Sequence, residues 1–187
     1  VDEGRVALAE GAASRILARQ ANRKALGHEA AEGERLGGGP IEAAAGLEAA
    51  AAWLARAHPA CRIVVLDALR PQRVQEAIWR DVAGTPAALY FANPDRGSIH
   101  SFGMAVDVTL RDAKGRELDM GSGFDEMTLA SHPSLEAEQL AAGAITRAHI
   151  AAREILRGAM AAGGFAGIPT EWWHFDHASW RRWAVGN

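Results

Sequence analysis

The spacing of apolar and polar positions changes several times along the chain, and each change marks an element. From Ile41 to His58 the larger apolar residues Ile41, Leu47, Trp53 and Leu54 stand among alanines. That spacing predicts a helix packed closely against a sheet. Arg62 to Asp67 (RIVVLD) is a short β-branched run between polar residues, a buried strand ending at Leu69-Arg70-Pro71. Gln72 to Val82 returns to helical spacing through Val74, Ala77, Ile78 and Val82. Pro86, Asn93, Pro94 and Asp95 make Gly84 to Gly97 a loop, which leads to a second strand signal at Met104 to Leu110. Arg111 to Arg116 reads as a turn into a short partner strand near Glu117 to Met120, forming a hairpin. After a loop from Gly121 to Pro133, Ile145, Ala148, Ala152, Ile155 and Ala159 line one face of a helix from about Thr146 to Ala162. Gly163-Gly164 stops it, and the aromatic run Thr170 to Asp176 (TEWWHFD) reads as a last strand.

No internal repeat emerges, and this order predicts a single α+β domain with a mainly antiparallel central sheet flanked by helices. Residues 1–40 are polar and rich in alanine and glycine, ending in Gly37-Gly38-Gly39-Pro40. They read as a variable, partly helical entry segment closed by a loop, ahead of a domain over 41–187.

Composition narrows the function. The 187 residues are 49% apolar and 23% charged, the balance of a soluble globular domain. A net charge of −3 provides no field for a nucleic-acid backbone or an anionic membrane. The single cysteine, Cys61, excludes an intrachain disulfide framework and a cysteine-built zinc site. Glu42, Glu48 and Arg56 interrupt the longest apolar stretch, so no membrane span is expected. The N-terminus lacks a basic segment followed by an apolar one, which leads to the expectation of a cytoplasmic protein. A periplasmic one is the alternative if an upstream signal was removed. Oligomeric state is not legible in the residues.

Three positions stand out chemically. His100 lies seven residues before Asp107, with Gly103 permitting a turn between them, and His174 follows Glu171 by three. Two imidazoles and one carboxylate are a recognised ligand set for catalytic zinc. Asp107 sits within an apolar run, where a carboxylate is expensive to bury unless paired or bound to a metal. The other histidines, His28, His58, His132, His149 and His177, read as ordinary hydrogen-bonded residues.

The segments DALRPQ (67–72), SIHSFGMAVDVTL (98–110), LDMGSGFDEM (118–127) and GIPTEWWHFD (167–176) closely resemble the D-alanyl-D-alanine dipeptidases, which are zinc enzymes. The family pattern, Ser-x-His-x-x-Gly-x-Ala-x-Asp followed by Glu-x-x-His, is met at every fixed position from Ser98 to His174. The resemblance implies that His100, Asp107 and His174 bind one zinc ion per chain and that Glu171 is the catalytic base. It implies Arg70 as the support of the transition state, Asp125 as the acceptor of the substrate's free amino group, and Ser98 as a substrate neighbour. The implied substrate is a small D,D-dipeptide. Arg70 also has a plainer reading, closing the strand end on Asp67, and Asp125 that of a turn residue.

Two features qualify the likeness. It covers Arg62 to Asp176; ahead of residue 60 the family's tyrosine-containing strand and Asn-Phe segment are missing, and the only tyrosine, Tyr90, falls in the long loop. In a regular strand Glu171 and His174 face opposite sides, so either a bulge separates them or Glu171 precedes the strand. Trp172, Trp173, Phe102 and Phe124 either wall the cleft or serve as core, and Trp180 and Trp183 read as seals of the domain edge. The rival functions are a D,D-carboxypeptidase or endopeptidase on peptidoglycan peptides, and a non-catalytic module stabilised by zinc.

Overall fold

The computed structural model describes residues 6–7, 39–85, 88 and 92–184. Its centre is a five-stranded sheet in the order β1-β2-β3-β5-β4, made of β1 (Val6–Ala7), β2 (Arg62–Asp67), β3 (Ala105–Arg111), β4 (Phe165–Gly167) and β5 (His174–His177). Every neighbouring pair is antiparallel. Among the described residues five α-helices accompany it: α1 (Gly39–Ala57), α2 (Gln72–Val82), α3 (Glu136–Ala141), α4 (Arg147–Ala162) and α5 (Trp180–Ala184). The α+β class and antiparallel sheet expected from the sequence are both present.

The sheet separates an oily face from a chemical one. On one face Ile63, Val65, Val106, Val108, Leu110 and Phe175 join Leu47 and Leu54 of α1 and Leu156 and Met160 of α4 in one core. The helices approach so closely that a Cβ on Gly163 would stand 2.2 Å from the Gly46 carbonyl oxygen, so only glycine fits there. The opposite face of β3 carries Ala105, Asp107 and Thr109, all buried. Alternation alone would point Asp67 at the core with Ile63 and Val65. Instead the register shifts between Val65 and Asp67, one extra residue, and Asp67 becomes the cross-strand partner of Asp107. The bulge thereby moves a carboxylate onto the chemical face.

Several boundaries differ from those expected. Gly39 and Pro40 open α1 rather than a loop, because a proline in the first turn forfeits an N–H that has no partner there. The rest of the N-terminal segment lies outside the described residues, apart from Val6–Ala7, which pair with β2. The expected partner strand at Glu117 to Met120 reduces to a single bridge, Arg111 to Glu117, and the bond from Leu118 N–H to Leu110. The chain then turns away, because the Met120 carbonyl accepts from buried Arg153 of α4 at 2.8 Å instead of from β3. The last strand begins only at His174. The short elements β1, α3, β4 and α5 were not legible: α3 has six residues and none buried, α5 has five, β4 has three and β1 two. Thr146 caps α4 by accepting from the His149 N–H at 3.3 Å, while the His149 ring accepts from the Thr146 N–H.

Candidate active site

The site is assembled from a row across three strands and two turns. Asp107 is the register partner of Asp67 on β2 and of His174 on β5, so these three side chains stand side by side. His100 comes from a single 3-10 turn, Ile99–Phe102, that ends on Gly103 at φ 67°. The left-handed conformation is one that glycine adopts freely, and it returns the chain into β3 with His100 above Asp107. Glu171 precedes β5, with bends at Trp172 and Trp173, which resolves how it shares one side with His174. The structure therefore takes the second of the two solutions that the spacing allowed.

His100 Nε2, His174 Nδ1 and Asp107 Oδ1 form a triangle with sides of 3.2, 3.1 and 3.4 Å. Tetrahedral zinc with bonds of roughly 2.0–2.1 Å separates its ligands by about 3.3 Å, so the triangle fits one face of such a coordination shell. The remaining ring nitrogens are also committed. His100 Nδ1 donates to the Ala68 carbonyl at 2.8 Å, and His174 Nε2 donates to Asp176 at 2.9 Å. Those bonds leave Nε2 of His100 and Nδ1 of His174 as the lone-pair atoms a cation needs. Among the described residues this is the group that could hold a metal ion.

Electrostatics support a cation here. Burial opposes ionisation of Asp107, but the charge of His100 and hydrogen bonds from both histidines hold its carboxyl well below the ordinary range. Burial lowers His174, yet bonds to Asp107 and Asp176 outweigh it and raise the imidazole to about 10. Without metal the pair is thus an aspartate beside an imidazolium, and a bound cation takes the place of that proton. Glu171 Oε2 lies 3.9 Å from His174 Nδ1. Burial, against the pull of His174 and with the charges of Asp107 and Asp125, pushes it up to about 7.

Arg70 closes the strand end on Asp67, as its plainer reading has it. Its Nε and Nη2 donate to Asp67 at 3.0 and 2.8 Å, while Nη2 also lies 3.7 Å from Asp107. All seven expected site residues, Ser98, His100, Asp107, Arg70, Asp125, Glu171 and His174, border one cavity of about 180 Å³. Asp125 occupies it at φ 58°, a left-handed conformation that aspartate tolerates better than most residues. Burial and then the charge of Asp107 raise its pKa. Among the described residues no aromatic side chain except the histidines borders this cavity: Trp172 and Trp173 are core, meeting edge to face at 5.3 Å, and Phe124 packs on Trp173. Trp180 packs against the core, whereas Tyr90 and the Trp183 side chain lie outside the described residues.

Sequence reasoning missed two partners. Asp176 stands two residues after His174, the spacing that places strand residues on one face, so a signal existed. Gln75 gave none, since an amide within a helix is ordinarily exposed.

A family model described as D-ala-D-ala dipeptidase matches residues 12–180. The chain belongs to that family. The dipeptidase match begins well ahead of Arg62, so the kinship extends into the N-terminal region, where the motifs were not legible. The D-alanyl-D-alanine dipeptidase of Escherichia coli (strain K12) is 42% identical over 118 residues, 62% of this chain and 54% of that protein. That of Synechocystis sp. (strain ATCC 27184 / PCC 6803 / Kazusa) is 32% identical over 168 residues, 74% of this chain and 68% of that protein. That of Streptomyces coelicolor (strain ATCC BAA-471 / A3(2) / M145) is 35% identical over 129 residues, 60% of each. The chain thus spans about half to two thirds of the length of these relatives. Among the described residues no helix is long and apolar enough to cross a membrane.

Proposed function

We propose that this protein hydrolyses the free dipeptide D-alanyl-D-alanine to two D-alanines, with one zinc ion held by His100, Asp107 and His174. The observation that carries this reading is the convergence of those three ligand atoms beside Glu171 and Arg70 on a single small cavity. When bound, the ion supplies the Lewis acidity that makes water a competent nucleophile near neutral pH. Glu171 takes a proton from the attacking water and passes it to the departing amine. Arg70 supports the carbonyl oxygen as negative charge develops on it, with a guanidinium that stays charged and presents its donors in a rigid plane.

Substrate length follows from the far end of the cavity. Asp125 receives the substrate ammonium, and that cation offsets the burial and repulsion that its carboxylate otherwise suffers. Ser98, buried on the same wall, contacts the dipeptide. At about 180 Å³ the space is below the roughly 300–1,000 Å³ of pockets for larger ligands, which favours a dipeptide over a peptidoglycan strand. The names of the three relatives agree with this substrate.

The test is hydrolysis by zinc-loaded protein of D-Ala-D-Ala against N-acetyl-D-Ala-D-Ala and a longer peptide with the same end. Cleavage of the free dipeptide alone is expected. Cleavage of the blocked substrates would instead identify a carboxypeptidase or endopeptidase, and bound zinc without any cleavage a binding module.

A further inference from the structure

Helix α2 breaks the pattern that its sequence suggests. Val74 is exposed, while the neighbouring amide Gln75 is fully buried, the only residue of the helix with that status. A buried amide carries a desolvation cost that an apolar residue of similar volume does not, and such local exceptions concentrate where function requires them. Both ends of this amide are used. Oε1 accepts from Arg70 Nη1 at 3.2 Å, and Nε2 donates to the Ala92 carbonyl at 2.7 Å. A guanidinium can only donate and a carbonyl can only accept, so the amide has one permitted direction.

We infer that Gln75 is a positioning residue that holds Arg70 in the direction the reaction needs. This rests on the role proposed above for Arg70. Asp67 grips one edge of the guanidinium, through Nε and Nη2, and Gln75 grips Nη1. With the second grip gone, the plane of the fork is fixed from one side only, and its donors wander from the oxygen they serve. The cavity wall is less dependent on Gln75, because Gln72 Nε2 separately donates to the Pro94 carbonyl at 3.0 Å. The effect of losing Gln75 is therefore carried chiefly by Arg70.

The test is a double-mutant cycle on zinc-loaded protein with Q75M, R70M and the pair, reading kcat, KM and bound zinc for D-Ala-D-Ala. Q75M is expected to lower kcat about tenfold, with KM and zinc content little changed. In the R70M background the same substitution should cost less than about twofold, since the group it positions is gone. Q75E keeps the volume and the acceptor facing Arg70 but gives up the donor to the Ala92 carbonyl, so it separates the two bonds, and it is expected to lose less kcat than Q75M. Equal losses from Q75M in both backgrounds, equal losses from Q75E and Q75M, or normal kcat in Q75M would each overturn the inference. Near-normal kcat in R70M would overturn the Arg70 role as well, which separates that failure from a failure confined to Gln75.

Discussion

Glu171 and Arg70 border one cavity, and the proposed mechanism gives them different tasks that single substitutions should separate. Glu171→Ala removes the proton carrier but no ligand atom, so turnover should fall by about 10²–10⁴-fold while zinc remains bound. Loss of zinc from that variant would reassign Glu171 to the metal shell. Arg70→Lys keeps a positive charge but loses the planar fork that meets Asp67 and Gln75 at once. A fall in kcat of about 10²–10³-fold is expected, and full rescue by lysine would show that charge alone suffices. Asp107 was legible because a carboxylate is costly to bury in an apolar run, and His100 and His174 because two imidazoles with it make a zinc ligand set. The roles of Glu171 and Arg70 were read only from the resemblance of their segments to the dipeptidases. Gln75 was not legible, because what distinguishes it is burial, and a glutamine in a helix gives no sign of that.

At the scale of elements, the site depends on irregularities that periodicity cannot reveal. The extra residue between Val65 and Asp67 reverses the side-chain parity of β2, so the strand expected at 62–67 is present while its last carboxylate lies on the face opposite to the one that regular alternation gives. Glu171 joins His174 only because the strand starts late. The three longer helices and the two longer strands were legible, since each sustains its spacing over several residues, whereas β1, α3, β4 and α5 are too short to do so. Strand β5 also supplies Asp176, which fixes His174 through a 2.9 Å bond from the far ring nitrogen. Asp176→Ala should weaken zinc binding about 10–100-fold, as measured by competition with a chelator. Unchanged affinity would mean that strand pairing alone orients the imidazole.

Across the whole molecule, β5 and α5 are tied back to α1 by a chain of polar contacts remote from the cavity. The His177 ring meets Ser179 Oγ at 2.8 Å, Ser179 hydrogen-bonds Glu42, and Arg182 donates to Glu42 at 3.0 Å. Burial, reinforced by Arg182 and opposed by Glu42, holds the His177 imidazole below its usual value of 6.5. A depressed histidine stabilises the fold above the unfolded value and ceases to do so as pH falls through the folded one. Between pH 7 and pH 5 the wild type should therefore lose more stability than His177→Gln in denaturant titrations, whereas parallel losses would remove His177 from the account. The fold brings the candidate site together in the same way, by joining distant segments: residues 100, 107 and 174 meet only when β3, β5 and the turn after residue 98 are in register. Zinc content per chain after gel filtration, for wild type beside Asp107→Ala, tests that convergence most directly. One equivalent in the wild type and almost none in the variant is the expected result; equal zinc in both would contradict the assignment of the metal centre.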